Sequence, residues 1–149
     1  MVGFYPGSFD LCHAGHMLAF KDASNECDYL IVGLHSDPTF DRPLKNKPIM
    51  SMEERRIILK GISYIDEIRE YDTERDLMNL VMELQPNIYF IGEDWKNKEW
   101  TCKELCKELN IKVIYLQRKH NYSTSELRER IVKDFLDKSK GRILKEINK

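Results

Sequence analysis

Residues 1–35, MVGFYPGSFDLCHAGHMLAFKDASNECDYLIVGLH, decide the fold, because two apolar segments enclose an amphipathic one. The first segment, MVGFYPG, predicts a strand that ends in a tight turn at Gly7. Residues 10–26 predict a helix that Asp10 caps. The residues expected on the buried side of this helix are Leu11, Met17, Leu18 and Ala23. The run DYLIVGLHSD is almost continuously apolar, which is typical of a strand covered on both faces.

The same alternation continues along the chain. Further strands are predicted in DEIREY, NIYFIGED and KVIYLQR, and further helices in SMEERRIILKGI, TERDLMNLVMELQ, KEWTCKELCKEL and STSELRERIVKDFL. The proline-rich segment over residues 38–50 predicts a loop, longer than most connections. The pattern predicts an α/β fold, an open parallel sheet of about five strands with helices on both faces. We expect one domain over residues 1–138 and a solvated basic tail over 139–149.

Composition excludes several classes of protein. The net charge is −1, from 24 basic and 25 acidic residues, so no basic field favours nucleic acid. The apolar runs are too short to cross a bilayer, and we expect no membrane partner. The start of the chain lacks a signal-like region. The four cysteines form no C-x-x-C pair, and we expect free thiols in a cytoplasmic protein and no metal site.

Two of the four histidines, His13 and His16, lie about one turn apart at the start of the first predicted helix. A helix N-terminus favours an anion, and imidazoles there would donate hydrogen bonds to phosphate oxygens. Gly15 between them would let a ligand approach the backbone. The alternative is two solvent-facing histidines, and the spacing by itself leaves both interpretations open.

The other strand-to-helix turns carry compatible side chains. Lys45 and Lys47 alternate in DRPLKNKP, and Arg118 ends the fifth strand within reach of a phosphate. Ser123 and Glu126 form a capping box that opens a second anion-favouring helix. Each of these features also has a structural interpretation, as a solvated basic loop or an ordinary helix cap. Because parallel strands end at the same edge of a sheet, the turns together predict a polyphosphate site.

The motifs in these turns resemble those of a known family. GSFDLCHAGH resembles the H-x-G-H motif of the HIGH-type nucleotidyltransferase superfamily, and YSTSELRERI resembles its C-terminal element. LKNKP, SMEERRIIL, YIDEI and IGEDW have counterparts, in the same order, among the cytidylyltransferases, glycerol-3-phosphate cytidylyltransferases in particular. The resemblance covers roughly residues 2–131. It implies a Rossmann-like fold, a homodimer, and Mg²⁺ that accompanies the nucleotide triphosphate.

The resemblance also implies roles for single residues. The implied catalytic residues are His13, His16, Lys47 and Arg118. The implied nucleotide-binding residues are Gly7, Ser8, Phe9, Asp10, Gly15, Asp94, Trp95, Ser123, Thr124 and Ser125. The implied acceptor-binding residues are Lys45 and Asp37.

The implied reaction is transfer of CMP from CTP to a small phosphorylated acceptor, such as glycerol 3-phosphate, with release of pyrophosphate. Two departures keep other functions open. The sequence YPGSFD also occurs among adenylyltransferases, which use ATP on a sugar phosphate or a cofactor precursor. In DTERDLMNL, Arg75 is the only basic residue where glycerol phosphate enzymes are rich in lysine. A nucleotide-binding module without activity is the alternative from another class.

Overall fold

The computed structural model describes residues 1–149. One sheet holds five parallel strands, β1 (Val2–Gly7), β2 (Tyr29–His35), β3 (Glu67–Tyr71), β4 (Ile88–Gly92) and β5 (Lys112–Leu116). The strand order is β3-β2-β1-β4-β5. The chain therefore builds outward from β1 in both directions, and β1 ends at the switch point where such sheets bind ligands. The predicted open parallel sheet is confirmed.

Helices connect the strands. They are α1 (Ala14–Asn25), α2 (Met52–Lys60), α3 (Glu74–Leu84), α4 (Lys103–Glu108) and α5 (Thr124–Ile147), with a short 3-10 helix over Glu93–Trp95. The predicted capping box of α2 forms, because the Ser51 hydroxyl accepts from the Glu54 N–H and the Glu54 carboxylate accepts from the Ser51 N–H. No helix is both long enough and apolar enough to span a membrane.

Strand β2 shows why both faces of the sheet are covered. Leu30, Val32 and Leu34 pack into one core cluster with Phe20 of α1, whereas Ile31 belongs to a second cluster on the opposite face, with residues of α3 and α4. Successive side chains of a strand point to opposite faces, so a continuous apolar run fills two cores at once. The expected Rossmann-like arrangement, with helices on both faces, is confirmed.

The start of α1 differs from the prediction. The helix begins at Ala14, and its cap is His13 rather than Asp10. The buried face differs as well, since Phe20 is fully buried whereas Leu18 is 42% exposed. The cause is local, because the chain first turns through left-handed residues before it enters the helix. Such a turn is rare outside glycine and leaves little trace in a hydrophobic pattern.

The two C-terminal helices also differ in length from their predictions. Helix α4 is confined to Lys103–Glu108, whereas the pattern placed it over residues 98–109. Helix α5 continues to Ile147, so it takes in most of the segment predicted as a solvated tail. The side chains of that segment are nearly all exposed.

Candidate active site

The turn after β1 bends at residues other than glycine. Phe9 and Leu11 have left-handed φ values of 49° and 50°, whereas Gly7 has no positive φ. A Cβ on Gly7 would lie 2.9 Å from Cζ of Phe9, so this glycine makes room for the buried Phe9 ring. The predicted position of the bend, Gly7, is therefore wrong, because the chain bends at Phe9 and Leu11.

His13 and His16 form a reciprocal cap at the start of α1. His13 Nδ1 accepts from the Gly15 N–H at 3.0 Å, and His16 Nδ1 accepts from the His13 N–H at 3.2 Å. The two ring centroids are 4.0 Å apart. A neutral imidazole carries one proton, so an accepting Nδ1 places that proton on Nε2. His13 Nε2 thus donates to the Thr124 hydroxyl at 3.2 Å, which joins the start of α1 to the start of α5.

The environment keeps both rings neutral. Burial, with smaller contributions from His13 and Arg118 and against the opposing effect of Asp10, lowers the pKa of His16 to about 4. Burial, together with His120 and Arg118, also lowers the pKa of His13. At neutral pH the two residues therefore offer uncharged Nε2–H donors in fixed orientations.

Gly15 allows the rings to close over the helix start. A Cβ on Gly15 would lie 2.8 Å from Cε1 of His13 and 2.9 Å from Cε1 of His120. The absence of a side chain at Gly15 thus makes room for the imidazoles of His13 and His120 as well as for any ligand. The sequence prediction missed His120, which comes to this turn from the β5–α5 connection, more than a hundred residues along the chain.

A nucleotide-sized cavity of about 340 Å³ opens in front of these rings. Among its lining residues are His13, His16, Gly92, Arg118, His120 and Thr124. Arg118 lies here as predicted, and its guanidinium pairs with Asp94 at 3.5 Å. The Arg118 backbone N–H donates to the Glu93 carboxylate at 2.7 Å, which holds the ends of β4 and β5 together. We call this the histidine cavity.

A smaller cavity of about 200 Å³ lies between the turn after β1 and the first residues of α5. Among its lining residues are Ser8, Asp10, His16, Lys45, Thr124, Ser125 and Arg128. Ser123 caps α5, because its hydroxyl accepts from the Glu126 N–H at 3.1 Å. A helix N-terminus and basic side chains here favour an anion. We call this the α5 cavity.

Asp10 is a structural tether rather than a helix cap. One carboxylate oxygen accepts from the Met50 N–H at 2.9 Å, and the other accepts from the Ile49 N–H at 2.9 Å and from Arg128 at 3.0 Å. The residue is buried, and its charge is matched by this guanidinium. Asp10 therefore fixes the end of the 38–50 loop against α5.

The third and largest cavity, about 670 Å³, lies at the carboxyl ends of β1, β2, β3 and β4. Its lining includes Gly7, Ser8, His35, Lys45, Trp95 and Trp100. The Lys45 ammonium lies 5.3 Å from the centroid of the Trp95 ring. Trp95, predicted to bind the nucleotide, lies at this cavity and not at the histidine cavity. We call it the tryptophan cavity, and Lys45 stands at its boundary with the α5 cavity.

Three predicted residues, Asp37, Lys47 and Asp94, line none of these three cavities, although Asp94 pairs with Arg118. Asp37 accepts from the Thr39 N–H at 2.9 Å and from its hydroxyl at 2.6 Å. These bonds lower the pKa of Asp37, with a smaller contribution from nearby Lys47. Lys47 itself is exposed on the 38–50 loop. The structure thus brings His13, His16, Arg118 and Thr124 together but leaves Lys47 and Asp37 outside.

Arg55 joins the chain segments that carry the site, and the sequence prediction missed it. Only 2% of Arg55 is exposed, and its guanidinium donates to five backbone carbonyls. Those carbonyls belong to Ser8, His35, Ser36, Met50 and Ser51. The residue therefore joins the turn after β1 to the end of β2 and to α2. Its burial was not apparent from the sequence, because the carbonyls of Ser8, His35 and Ser36 that it contacts belong to distant segments of the chain.

The side chains of the site do not form a metal-binding set. No group of three or more His, Cys, Asp or Glu residues is arranged to hold a metal ion. Asp10, the buried carboxylate nearest the histidines in sequence, has both oxygens engaged by protein donors. These residues therefore do not fit a Mg²⁺ ion bound directly by the protein.

Comparisons with known proteins agree with this geometry. Residues 4–130 match the cytidylyltransferase-like family model. The chain is 35% identical over 123 residues to glycerol-3-phosphate cytidylyltransferase of Bacillus spizizenii, covering 83% of this chain and 91% of that protein. It is 32% identical over 139 residues to FAD synthase of Pyrococcus horikoshii, covering 88% and 92%.

A longer relative and a solved structure extend the comparison. The chain is 35% identical over 112 residues, 74% of its length, to the bifunctional protein HldE of Campylobacter concisus, and spans only 23% of that protein. The crystal structure of the lipopolysaccharide core biosynthesis protein from Thermoplasma volcanium is similar, with a TM-score of 0.65 and 26% identity. That likeness covers 83% of this chain and 98% of the other. The chain therefore belongs to the cytidylyltransferase-like family and is an enzyme of the nucleotidyltransferase type.

Proposed function

We propose that the enzyme transfers CMP from CTP to a small phosphorylated acceptor, such as glycerol 3-phosphate, and gives a CDP-linked product and pyrophosphate. The observation that carries the proposal is the pair of neutral, backbone-fixed imidazoles of His13 and His16. They stand where the N-termini of α1 and α5 meet, at the switch point of the sheet. Oriented N–H donors and two helix N-termini suit a triphosphate.

In this reaction an acceptor phosphate oxygen attacks the α-phosphorus of CTP. The bond from that phosphorus to the bridging oxygen of the β-phosphate breaks, and pyrophosphate leaves with the electron pair. A phosphate acceptor is already anionic near neutral pH, so the reaction needs no general base. The catalytic contribution is in-line positioning and stabilisation of charge on the phosphates.

Each cavity has a place in this scheme. The base and ribose occupy the histidine cavity, near Asp94, and the phosphates extend past the Nε2–H donors of His13 and His16. Arg118 supplies positive charge there. The Ser123–Ser125 turn and the backbone around Ser8 contact the phosphates from the α5 cavity. Mg²⁺ belongs to this scheme as an ion carried by the triphosphate, and no step is assigned to it.

The acceptor occupies the tryptophan cavity. Ser8 and Lys45 line both this cavity and the α5 cavity, so a phosphate held there would face the α-phosphorus. Lys45 supplies the positive charge that a phosphorylated acceptor requires. Asp37, on the connection after β2, supports the loop that carries Lys45.

A second candidate function is adenylyl transfer from ATP. The similarity to an FAD synthase favours it, because that similarity covers most of both chains. The sequence YPGSFD in the first turn favours it as well. The two functions share the same phosphate chemistry and differ in the base held in the histidine cavity.

The test measures pyrophosphate release with CTP and with ATP, in the presence of glycerol 3-phosphate or other phosphorylated polyols, aminoalcohols and sugars. We expect turnover with CTP and little with ATP. A strong preference for ATP would contradict the proposal in favour of the second candidate. Nucleotide binding without turnover of any acceptor would indicate a binding module instead.

The role of His16 is tested by His16→Asn, in which the amide oxygen can still accept from the His13 N–H. Loss of one oriented donor typically lowers kcat by about 10²- to 10³-fold. Ser24→Ala, at the far end of α1 and outside the three cavities, is the control and should keep full activity. Unchanged turnover by His16→Asn would remove this residue from the proposed site.

A further inference from the structure

His35 is a buried histidine that lies outside the histidine cavity and the α5 cavity. It is the last residue of β2, and only 3% of it is exposed. Its ring stacks on that of Tyr71, the last residue of β3, with the two ring centroids 4.5 Å apart. The backbone is fixed as well, because the Arg55 guanidinium donates to the His35 carbonyl at 2.6 Å. The imidazole therefore has a defined orientation at the carboxyl edge of the sheet.

The hydrogen bond of this ring determines its tautomer. His35 Nε2 lies 3.0 Å from the Asp72 carbonyl oxygen, which can only accept, so Nε2 carries a proton. Burial lowers the pKa of His35, so the ring is neutral at neutral pH and Nδ1 carries no proton. The bond to Asp72 is the one hydrogen bond of the ring, so no group of the protein donates to Nδ1. The ring therefore presents an unpaired hydrogen-bond acceptor.

This unpaired nitrogen belongs to the tryptophan cavity. His35 lines that cavity together with Tyr71, on which it stacks. Side chains alternate along β2, so His35 shares a face of the sheet with Ile31, whose core cluster includes Tyr71 and Tyr89. Both tyrosines line the same cavity. Since the phosphate of the acceptor substrate is assigned to Lys45, His35 is available to the rest of that molecule.

The acids around the cavity favour a neutral donor over an ammonium group. Both oxygens of the Glu74 carboxylate accept hydrogen bonds, one from Arg42 and one from Thr101. Glu99, the other acid in the lining, pairs with Lys103 at 3.1 Å. The lining therefore offers no unpaired carboxylate that would match the charge of a cationic substrate.

The Trp95 ring at this cavity is also engaged by cations. The ammonium groups of Lys45 and Lys98 lie 5.3 and 5.8 Å from the centroid of that ring. An aromatic face that already attracts two ammonium groups is a poor site for a third, because like charges repel. A hydroxyl group is therefore the donor that suits His35 Nδ1.

We propose that His35 is a specificity-determining residue, whose Nδ1 accepts a hydrogen bond from a hydroxyl group of the acceptor substrate. The inference rests on the proposed function, since the acceptor substrate must occupy the tryptophan cavity. It favours phosphorylated polyols and sugars, and it disfavours phosphocholine, whose quaternary ammonium has no proton to donate. A buried nitrogen left without its donor costs free energy, so substrates without a hydroxyl bind and react less well.

The test compares glycerol 3-phosphate with n-propyl phosphate, which has the same carbon chain and phosphate but no hydroxyl. Pyrophosphate release at saturating CTP gives kcat/KM for each acceptor substrate. We expect the wild type to prefer glycerol 3-phosphate at least about tenfold, which is the effect of one well-made hydrogen bond.

Three substitutions separate the two nitrogens of the ring. His35→Gln can keep the bond to the Asp72 carbonyl, because its amide nitrogen reaches as far as Nε2, but it removes Nδ1. His35→Asn does the reverse, because its amide oxygen can take the place of Nδ1. His35→Phe removes both groups and keeps an aromatic ring against Tyr71.

We expect His35→Gln and His35→Phe to lower kcat/KM for glycerol 3-phosphate about tenfold and to leave that for n-propyl phosphate nearly unchanged. His35→Asn should retain most of the preference. Tyr29→Phe, at the amino end of the same strand and outside the three cavities, is the control and should match the wild type. Thermal unfolding with and without CTP verifies that each variant folds and binds the nucleotide.

Three results would overturn the role of His35. The first is an equal loss for both acceptor substrates, which would indicate a residue that only supports the fold. The second is a wild type that does not distinguish glycerol 3-phosphate from n-propyl phosphate. The third is a wild type that prefers phosphocholine or phosphoethanolamine to glycerol 3-phosphate.

Failure of the proposed function has a different signature. Titration calorimetry measures the binding of glycerol 3-phosphate to the wild type and to His35→Gln without any turnover. Binding that His35→Gln weakens about tenfold, with no pyrophosphate release from CTP, would support the contact with His35 and contradict the transfer reaction.

Discussion

His13 and His16 illustrate how backbone contacts set side-chain chemistry at the scale of a residue. Each ring uses Nδ1 to cap a helix, which leaves Nε2–H as its only donor. Burial and neighbouring basic groups, His13 for His16 and His120 for His13, then lower both pKa values, so the donors carry no charge at neutral pH. The positive charge of the histidine cavity therefore comes from Arg118 and Lys119 rather than from the histidines, and Arg118 is held in place by Glu93 and Asp94.

This arrangement predicts a pH-dependent contribution of His16 to stability. Unfolded His16 takes up a proton near its ordinary pKa of 6.5, whereas folded His16 does so only near pH 4. Between these values the unfolded chain binds the additional proton. The free energy of unfolding therefore falls as pH decreases through that window, by up to about 1.4 kcal/mol per pH unit.

The comparison of wild type with His16→Asn isolates this contribution. Urea unfolding at a series of pH values between about 7 and 5 should show a smaller decrease in the free energy of unfolding for the variant, because Asn does not titrate. The measured quantity is the difference in slope, so a uniform loss of stability in the variant does not obscure it. Equal slopes would contradict the assignment of a neutral, buried imidazole.

At the scale of elements, Arg55 decides how the turn after β1, the end of β2 and α2 fit together. Arg55→Leu removes the donor from five carbonyls, among them those of Ser8 and His35. We expect a loss of about 3–5 kcal/mol in the free energy of unfolding, as for other buried charged networks broken on one side.

The neighbouring Arg56 provides a matched control for that prediction. Its side chain is one-third exposed and pairs with Glu70 on the surface. Arg56→Leu should cost no more than about 1 kcal/mol. Urea unfolding of both variants measures the two losses in the free energy of unfolding. Equal losses would show that the burial of Arg55 is not the cause of its larger expected loss.

The elements themselves were largely predictable, because their patterns are local. The apolar run of β2 and the Ser51–Glu54 capping box each report a structure within a few residues. The start of α1 was not predictable in this way, since left-handed Phe9 and Leu11 delay the helix to Ala14. Propensity favours neither residue in that conformation, which is held by tertiary packing of the Phe9 ring.

The site was predictable to the extent that its residues follow strands. His13 and Arg118 lie in connections that follow strands, and His16 and Thr124 lie in the first turns of the next helices, so topology brings them together at the carboxyl edge of the sheet. Arg55, Arg128 and His120 reach the site through contacts distant in sequence, which no local pattern encodes. Lys47 was predicted from its alternation with Lys45 and from the family resemblance, but it lies exposed on the 38–50 loop, outside the three cavities.

At the scale of the whole molecule, the end of β1 lies between the histidine cavity and the tryptophan cavity. Tyr5 of β1 lines the histidine cavity, whereas the next residue, Pro6, lines the tryptophan cavity, so the two cavities lie at opposite faces of the sheet. Ser8, just after β1, lines the tryptophan and α5 cavities together. This division suits the proposed transfer reaction, in which donor and acceptor would enter from opposite faces and meet at one strand end.

The same geometry predicts that the C-terminal residues are dispensable for nucleotide binding. The sheet, both core clusters and all three cavities involve no residue beyond Arg128. A chain truncated after Lys138 should therefore fold and still gain stability from CTP, by about 2.7 kcal/mol at a hundredfold excess over the Kd. Thermal unfolding with and without CTP measures this gain. If the truncated chain unfolded or lost its response to CTP, the last turns of α5 would belong to the domain itself, and residue 138 would be the wrong boundary.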